Sequence, residues 1–214
     1  MVSIFRAARP GLPAPTRVIW LPGAYHAPED FLSAGFDAEV RRRGLDLDLE
    51  FVPLRLDHVG DRSTVQQLRH DVIEPARAQG CRTIWLAGIS LGGLFAMDYA
   101  AGRDADWDGL CLLAPYLGNR LLIAEIVAAG GIDAWKPGPL AESDEERRIW
   151  RFVQGLRTEP RPLYLGYGAQ DRFAQAHGIM ASALPPQTVR VTPGGHDWPT
   201  WAALWTQFLE LRFS

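Results

Sequence analysis

The sequence predicts an α/β fold, a mostly parallel sheet of about six strands with helices on both faces. Three observations carry that expectation. Apolar runs of strand length alternate with helix-like stretches, the βαβα order of a sheet built from crossovers. Four of the six runs are nearly continuous in apolar residues, as parallel strands covered on both sides are. The composition, 47% hydrophobic and 22% charged over 214 residues, is that of an ordinary globular chain, long enough to bury a core without disulfide or metal staples. One domain spanning 1–214 is the natural reading.

The strands are read in order as TRVIWLPG (16–23), LDLEFVPL (47–54), RTIWLAG (82–88), GLCLLAP (109–115), RPLYLGYG (161–168) and QTVRVTP (187–193). The last two are less continuous in apolar residues and lean on turn signals, the sixth also on β-branched residues. Helices are expected near 29–43, 63–79, 91–102 and 198–212. The one at 63–79 opens on STVQQ, with Ser63 in N-cap position and Gln66 in capping-box position. Residues 119–158 break the rhythm. They hold LLIAEIVAAGGIDAW, a KPGP turn and AESDEERRIWRFVQGLR, more than one crossover needs. They form either a small helical lid above the carboxyl edge of the sheet or the crossover itself. Within the second of these helices Ile149, Trp150 and Phe152 are the expected apolar anchors.

Charge and cysteine content narrow the function. The net charge is −3 and the densest basic run is RRR at 41–43, so nucleic acid is not an expected partner. Cys81 and Cys111 make neither a disulfide framework nor a zinc motif and suit buried free thiols; no metal or cofactor is expected. MVSIFRAARPGLPAP lacks the apolar core of a secretory signal, and no stretch approaches the ~18 apolar residues of a membrane span. The expectation is a cytoplasmic protein. The oligomeric state is not legible.

GISLGG, residues 88–93, places a serine among glycines directly after an apolar strand and before a helix. A serine at such a corner must turn sharply with its Oγ outward. Gly88 and Gly92 remove the Cβ atoms that would obstruct that turn, and Gly93 lets the helix lie close to the sheet. A hydroxyl is a poor nucleophile at neutral pH and needs a base, and the base needs an orienting carboxylate. His196, in VTPGGHDW after the last strand, is the expected base. His70 and His177 fall on helix-like stretches and read as surface residues; His26 and His58 follow strand ends and could line a pocket. Asp171, in YLGYGAQDRF at the end of the fifth strand, is the expected acid, ranked ahead of Asp197, whose adjacency to His196 suits it poorly to orient the ring. Two backbone donors are expected for an oxyanion: Leu91 N–H at the helix N-terminus, where the helix dipole assists, and the N–H of Ala24 or Tyr25 after Gly23. WLPGAYH could equally be a plain Pro-Gly turn. Tyr25, Tyr116 and Trp198, all near strand ends, are the expected pocket walls, with core packing as the alternative.

With LPGAY, GISLGG, GAQDRF and PGGHDW in this order, the chain resembles the α/β-hydrolase superfamily over about residues 16–212. GGHDWPTW resembles, more weakly, the His-x-Trp segment of the esterase D, enterochelin esterase and mycolyltransferase group, which implies the same role for His196 and a pocket or packing role for Trp198. The chain departs from the superfamily in reading Pro-Gly where many members have His-Gly. It is also short, so the amino-terminal antiparallel strands should be missing or reduced, with VSIF (2–5) as a remnant. The resemblance implies a serine hydrolase acting on a small-molecule carboxylic ester or thioester through Ser90, His196 and Asp171. An acyltransferase with the same residues, or a catalytically silent binding module, are the alternatives. Two short helices shade a site without building a tunnel, so acyl groups of about two to six carbons are expected.

Overall fold

The computed structural model describes residues 2–54, 63–102, 105–141 and 143–213. Its centre is one seven-stranded sheet with spatial order β1-β3-β2-β4-β5-β6-β7. The strands are β1 (Ile4–Arg6), β2 (Thr16–Leu21), β3 (Leu47–Phe51), β4 (Thr83–Ile89), β5 (Gly109–Leu113), β6 (Leu163–Gly168) and β7 (Val189–Thr192). All neighbours are parallel except β1, which pairs antiparallel with β3. The sheet therefore has one strand more than the six expected, and the extra one is the reduced VSIF remnant.

Acids within β3 explain how so short an edge strand is held. Asp48 is wholly buried and accepts the backbone N–H groups of Ala8 and Ala14, at 2.9 and 3.0 Å. Glu50 is paired with the buried Arg17 at 2.9 Å and accepts the Ser3 hydroxyl at 2.6 Å. Buried carboxylates survive only with such partners, so these two acids fix the path of residues 3–17 along the sheet.

The stretch expected as one helix over 29–43 is two, α1 (Pro28–Ser33) and α2 (Phe36–Arg42). Gly35 between them takes φ +80°, a left-handed conformation that glycine enters without steric penalty. The break turns Phe31 and Phe36 onto the same core cluster around Trp20, with ring centroids 5.3 and 5.1 Å from it. The stretch over 63–79 is likewise interrupted: α3 (Ser63–Leu68), a π turn (Arg69–Ile73) and α4 (Glu74–Ala78). Pro75 has no N–H and crowds the carbonyl four residues earlier, which the wider turn accommodates. Ser63 opens the described part of α3. Residues 55–62 before it, His58 included, lie outside the described residues.

Helix α5 (Leu91–Ala100) follows β4 directly. Helices α6 (Arg120–Ala128) and α7 (Glu145–Gly155) occupy the long segment after β5. Ile149, Trp150 and Val153 of α7 are fully buried, while Phe152 packs partly buried against the core. Trp150 Nε1–H donates to the Leu117 carbonyl at 2.7 Å, and Arg148 pairs with the buried Asp98 of α5. Helix α7 is thus packed on the core, while α6 keeps Leu121 and Val127 exposed. Helix α8 (Ala174–Ser182), absent from the expected helix order although His177 was placed on a helix, supplies the crossover that parallel strands β6 and β7 require. Helix α9 (Trp198–Phe213) closes the structure, its Trp205 Nε1–H donating to the Phe36 carbonyl at 3.0 Å. Cys81 and Cys111 are buried free thiols. No helix among the described residues is long and apolar enough to cross a membrane.

Candidate active site

Ser90 sits at the corner between β4 and α5 with φ +51° and ψ −116°, a conformation that residues with a Cβ rarely adopt. Backbone bonds hold it there. Ser90 N–H donates to Leu113 O at 3.1 Å, and Ser90 O accepts from Gly93 at 3.0 Å and Tyr116 at 2.7 Å. The glycines are required by close approach. A Cβ on Gly92 would run into the Leu21 and Pro22 carbonyls, and one on Gly88 into the Gly92–Gly93 backbone. A Cβ on Gly93 would lie 2.6 Å from the Pro115 Cβ.

The loops after β6 and β7 are stitched together. Ala169 N–H donates to Thr192 O at 2.8 Å, Gln170 N–H to Gly194 O at 2.9 Å, and Gly194 N–H to the Gln170 side chain at 2.7 Å. This brings Asp171 and His196 into register. His196 Nδ1 lies 2.7 Å from Asp171 Oδ2, and His196 Nε2 lies 3.0 Å from Ser90 Oγ. With Nδ1–H donating to the carboxylate, Nε2 is left to accept the serine proton. The second carboxylate oxygen of Asp171 accepts the Phe173 N–H at 2.8 Å. Burial works against the Asp171 charge, but the His196 and Phe173 hydrogen bonds outweigh it and hold the carboxyl below its ordinary value. Asp197 faces elsewhere: its carboxylate accepts the Thr200 N–H at 3.0 Å and the Thr200 hydroxyl at 2.6 Å at the start of α9.

Leu91 is the first residue of α5, where N–H groups lack intrahelical acceptors. The 22–25 loop lies against the same serine: a Cβ on Gly23 would be 3.4 Å from the Ser90 Cβ. Ala24 and Tyr25 follow immediately. Tyr25 has φ +64°, and this turn throws its ring outward, leaving the residue 92% exposed. Its side chain therefore builds no pocket wall, contrary to expectation. Trp198 takes the packing alternative. It stacks on His26 at 5.1 Å and meets Phe31 and Phe36 edge-on, as part of the core aromatic cluster. His26 is taken up in the same packing and does not meet Asp171.

Tyr116 does line a cavity, of about 680 Å³, between α6 and the start of α8. Its hydroxyl donates to Glu146 Oε1 at 2.9 Å; burial, then that carboxylate, push the phenol up to about 12. The cavity is wider than a short acyl chain requires, so its size alone does not impose the short-chain limit expected from the sequence. His177, expected at the surface, is fully buried, and its Nε2–H donates to the Pro115 carbonyl at 2.9 Å beneath the turn that carries Tyr116. Burial holds its pKa below the ordinary imidazole value. His70 is exposed as expected. Sequence reasoning missed two side chains. Phe173 and Trp201 both meet the His196 ring edge-on, at 5.2 and 5.1 Å. Their only signal was position, two residues after Asp171 and five after His196.

Among known proteins, no family model and no curated sequence matches the chain. Solved structures do. Est1E from Butyrivibrio proteoclasticus shares 18% identity, with 98% of this chain and 93% of that one covered and a TM-score of 0.64. FphF, a fluorophosphonate-binding serine hydrolase of Staphylococcus aureus, shares 14% over 96% and 86%, with a TM-score of 0.63. A monoacylglycerol lipase from Paleococcus ferrophilus shares 13% over 97% and 96%, with a TM-score of 0.61. The chain has the α/β-hydrolase fold.

Two measurements probe this geometry. Strain of the Ser90 kind is of order 1–3 kcal/mol and is relieved by glycine but not by alanine. Ser90→Gly should therefore melt about 2–4 °C above Ser90→Ala; a glycine variant melting at or below the alanine variant would show that the corner is unstrained. The second concerns acid. The folded carboxyl of Asp171 titrates below its unfolded value, so its stabilisation is complete above the ordinary carboxylate pKa of ~3.9 and is lost as pH falls through the folded value. Melting temperature should fall more steeply below about pH 4 in wild type than in Asp171→Asn, and parallel curves would count against the Asp171–His196 bond.

Proposed function

We propose that this protein is a serine hydrolase that cleaves a small carboxylic ester or thioester through an acyl-enzyme on Ser90. The observation that carries the reading is the continuous hydrogen-bonded chain from Ser90 Oγ through His196 to the buried Asp171, set on a strained strand-to-helix corner. As Oγ attacks the acyl carbon, His196 Nε2 takes its proton and Asp171 stabilises the imidazolium that forms. Leu91 N–H, with Ala24 N–H or alternatively Tyr25 N–H, holds the oxyanion. His196 then protonates the departing alcohol or thiol, activates a water, and the acyl group leaves by the reverse sequence. Phe173 and Trp201 keep the ring from swinging away from Ser90. Tyr116 belongs to the substrate cavity; Tyr25 and Trp198 contribute through backbone position and packing.

The test is turnover of p-nitrophenyl esters and acyl-CoA thioesters by wild type and variants, with product analysis in the presence of an alcohol to separate hydrolysis from acyl transfer. Ser90→Ala and His196→Ala should lose about three orders of magnitude or more in kcat, and Asp171→Asn a comparable amount through the wrong imidazole tautomer. Asp197→Asn should remain within about threefold of wild type. Ser90→Ala retaining rates near wild type would overturn the mechanism.

A further inference from the structure

We infer that the cavity walled by Tyr116 and Phe173 selects esters or thioesters carrying a carboxylate a few bonds from the scissile carbonyl, with Arg120 and Arg172 as its anion-binding pair. This deepens the reading of the site as an ester hydrolase and rests on it. The cavity walls are mostly apolar, formed by Ile123 and Val127 of α6 and by Tyr116 and Phe173. The charged residues that line it are Arg120 and Arg172, and no acid does. Among the described residues neither guanidinium, both on exposed residues, has a carboxylate partner; Arg151 of the neighbouring helix α7 also lacks one, while Arg147, Arg148 and Arg157 on that helix and its end are paired.

The acids nearest the cavity are already committed. Glu146 accepts from the Tyr116 hydroxyl and from the backbone and side chain of Asn119, at 2.9, 3.0 and 2.6 Å. Asp171 spends one oxygen on His196 and the other on Phe173. Among the described residues, two cations thus line an apolar cavity that has no acid in its wall, an arrangement that a substrate anion completes. Its placement fits the chemistry. The Arg172 guanidinium lies over the Phe173 ring, 4.9 Å from its centroid, and that ring abuts His196. Phe173 thus contacts both the His196 ring and the Arg172 guanidinium, which puts Arg172 one side chain removed from the base. A carboxylate suits this pair better than a phosphate, because a guanidinium fork satisfies both of its oxygens. A phosphate would ask for further donors, and the Asn119 amide is spent on Glu146 and on capping α6.

The experiment compares monoethyl glutarate with diethyl glutarate, which differ in the charge at the far end of the same acyl chain. Wild type should favour the monoester by about tenfold or more in kcat/KM, a charge-assisted contact in a half-open site. The preference should shrink as salt rises from about 50 to about 500 mM. In Arg120→Gln/Arg172→Gln the ratio of the two esters should fall towards one. Calorimetric titration of both esters into Ser90→Ala, and into Ser90→Ala with both arginines replaced, reads the same preference without turnover. It decides the question even if neither glutarate ester is cleaved. Equal or weaker use and binding of the monoester, or a preference that survives loss of both arginines, overturns the inference. Cleavage of p-nitrophenyl acetate by wild type but not Ser90→Ala, without any anion preference, would sink the carboxylate site alone. Absence of all esterase activity would sink the hydrolase reading and leave the calorimetric ratio to judge the anion site.

Discussion

Everything at the site depends on the backbone of Ser90 being held at φ +51°. That conformation is unfavourable in isolation and persists because its surroundings over-determine it. Ser90 N–H is tied to β5 through Leu113 O, and Ser90 O is tied to both the first turn of α5 and Tyr116. Gly88, Gly92 and Gly93 let β2, α5 and the Pro115 turn come within contact distances that no side chain permits. One corner thereby fixes three things: the direction of Oγ, the approach of the 22–25 loop, and the N-terminal end of α5. Pro115 is held from below by the buried His177, so helix α8 also contributes to the serine's support without touching it.

The other half of the site is rigid for a different reason. Asp171 and His196 stand on separate loops, and a hydrogen bond of 2.7 Å between loops is only as well placed as the loops are. Backbone bonds from Ala169 and Gln170 to the 192–194 segment make the two loops a single unit. Phe173 and Trp201 then pack edge-on against the imidazole. Phe173 serves twice more, donating its N–H to Asp171 and forming a wall of the cavity, so Asp171, His196 and the cavity are coupled through one residue.

Much of this was legible in the sequence. Ser90, Asp171 and His196 each follow a strand in a parallel sheet, and the chemistry of a weak hydroxyl nucleophile asks for that set of residue types. They are also the three that the structure joins by hydrogen bonds. Asp197 was separable from Asp171 because neighbours in sequence orient each other poorly. What escaped was set by backbone detail that composition does not encode. The positive φ of Tyr25 sends its ring to solvent, and Gly35 splits a helix that periodicity alone would run through. The weak pattern of α8, with Gly178 in its middle, concealed both a crossover and the burial of His177. Of the cavity, Tyr116 was named from the sequence and the α6 wall falls in the 119–158 segment marked there as lid or crossover; the wall at 172–176 escaped because α8 did.

Covalent labelling tests the central claim most directly. A fluorophosphonate reacts with a serine only where a base removes its proton and donors stabilise the developing charge. Intact-mass measurement after exposure should show a single adduct, and peptide mapping should place it on Ser90, with Ser90→Ala and His196→Ala both unmodified. An unmodified wild-type protein, or an adduct mapped to any other residue, would contradict the account.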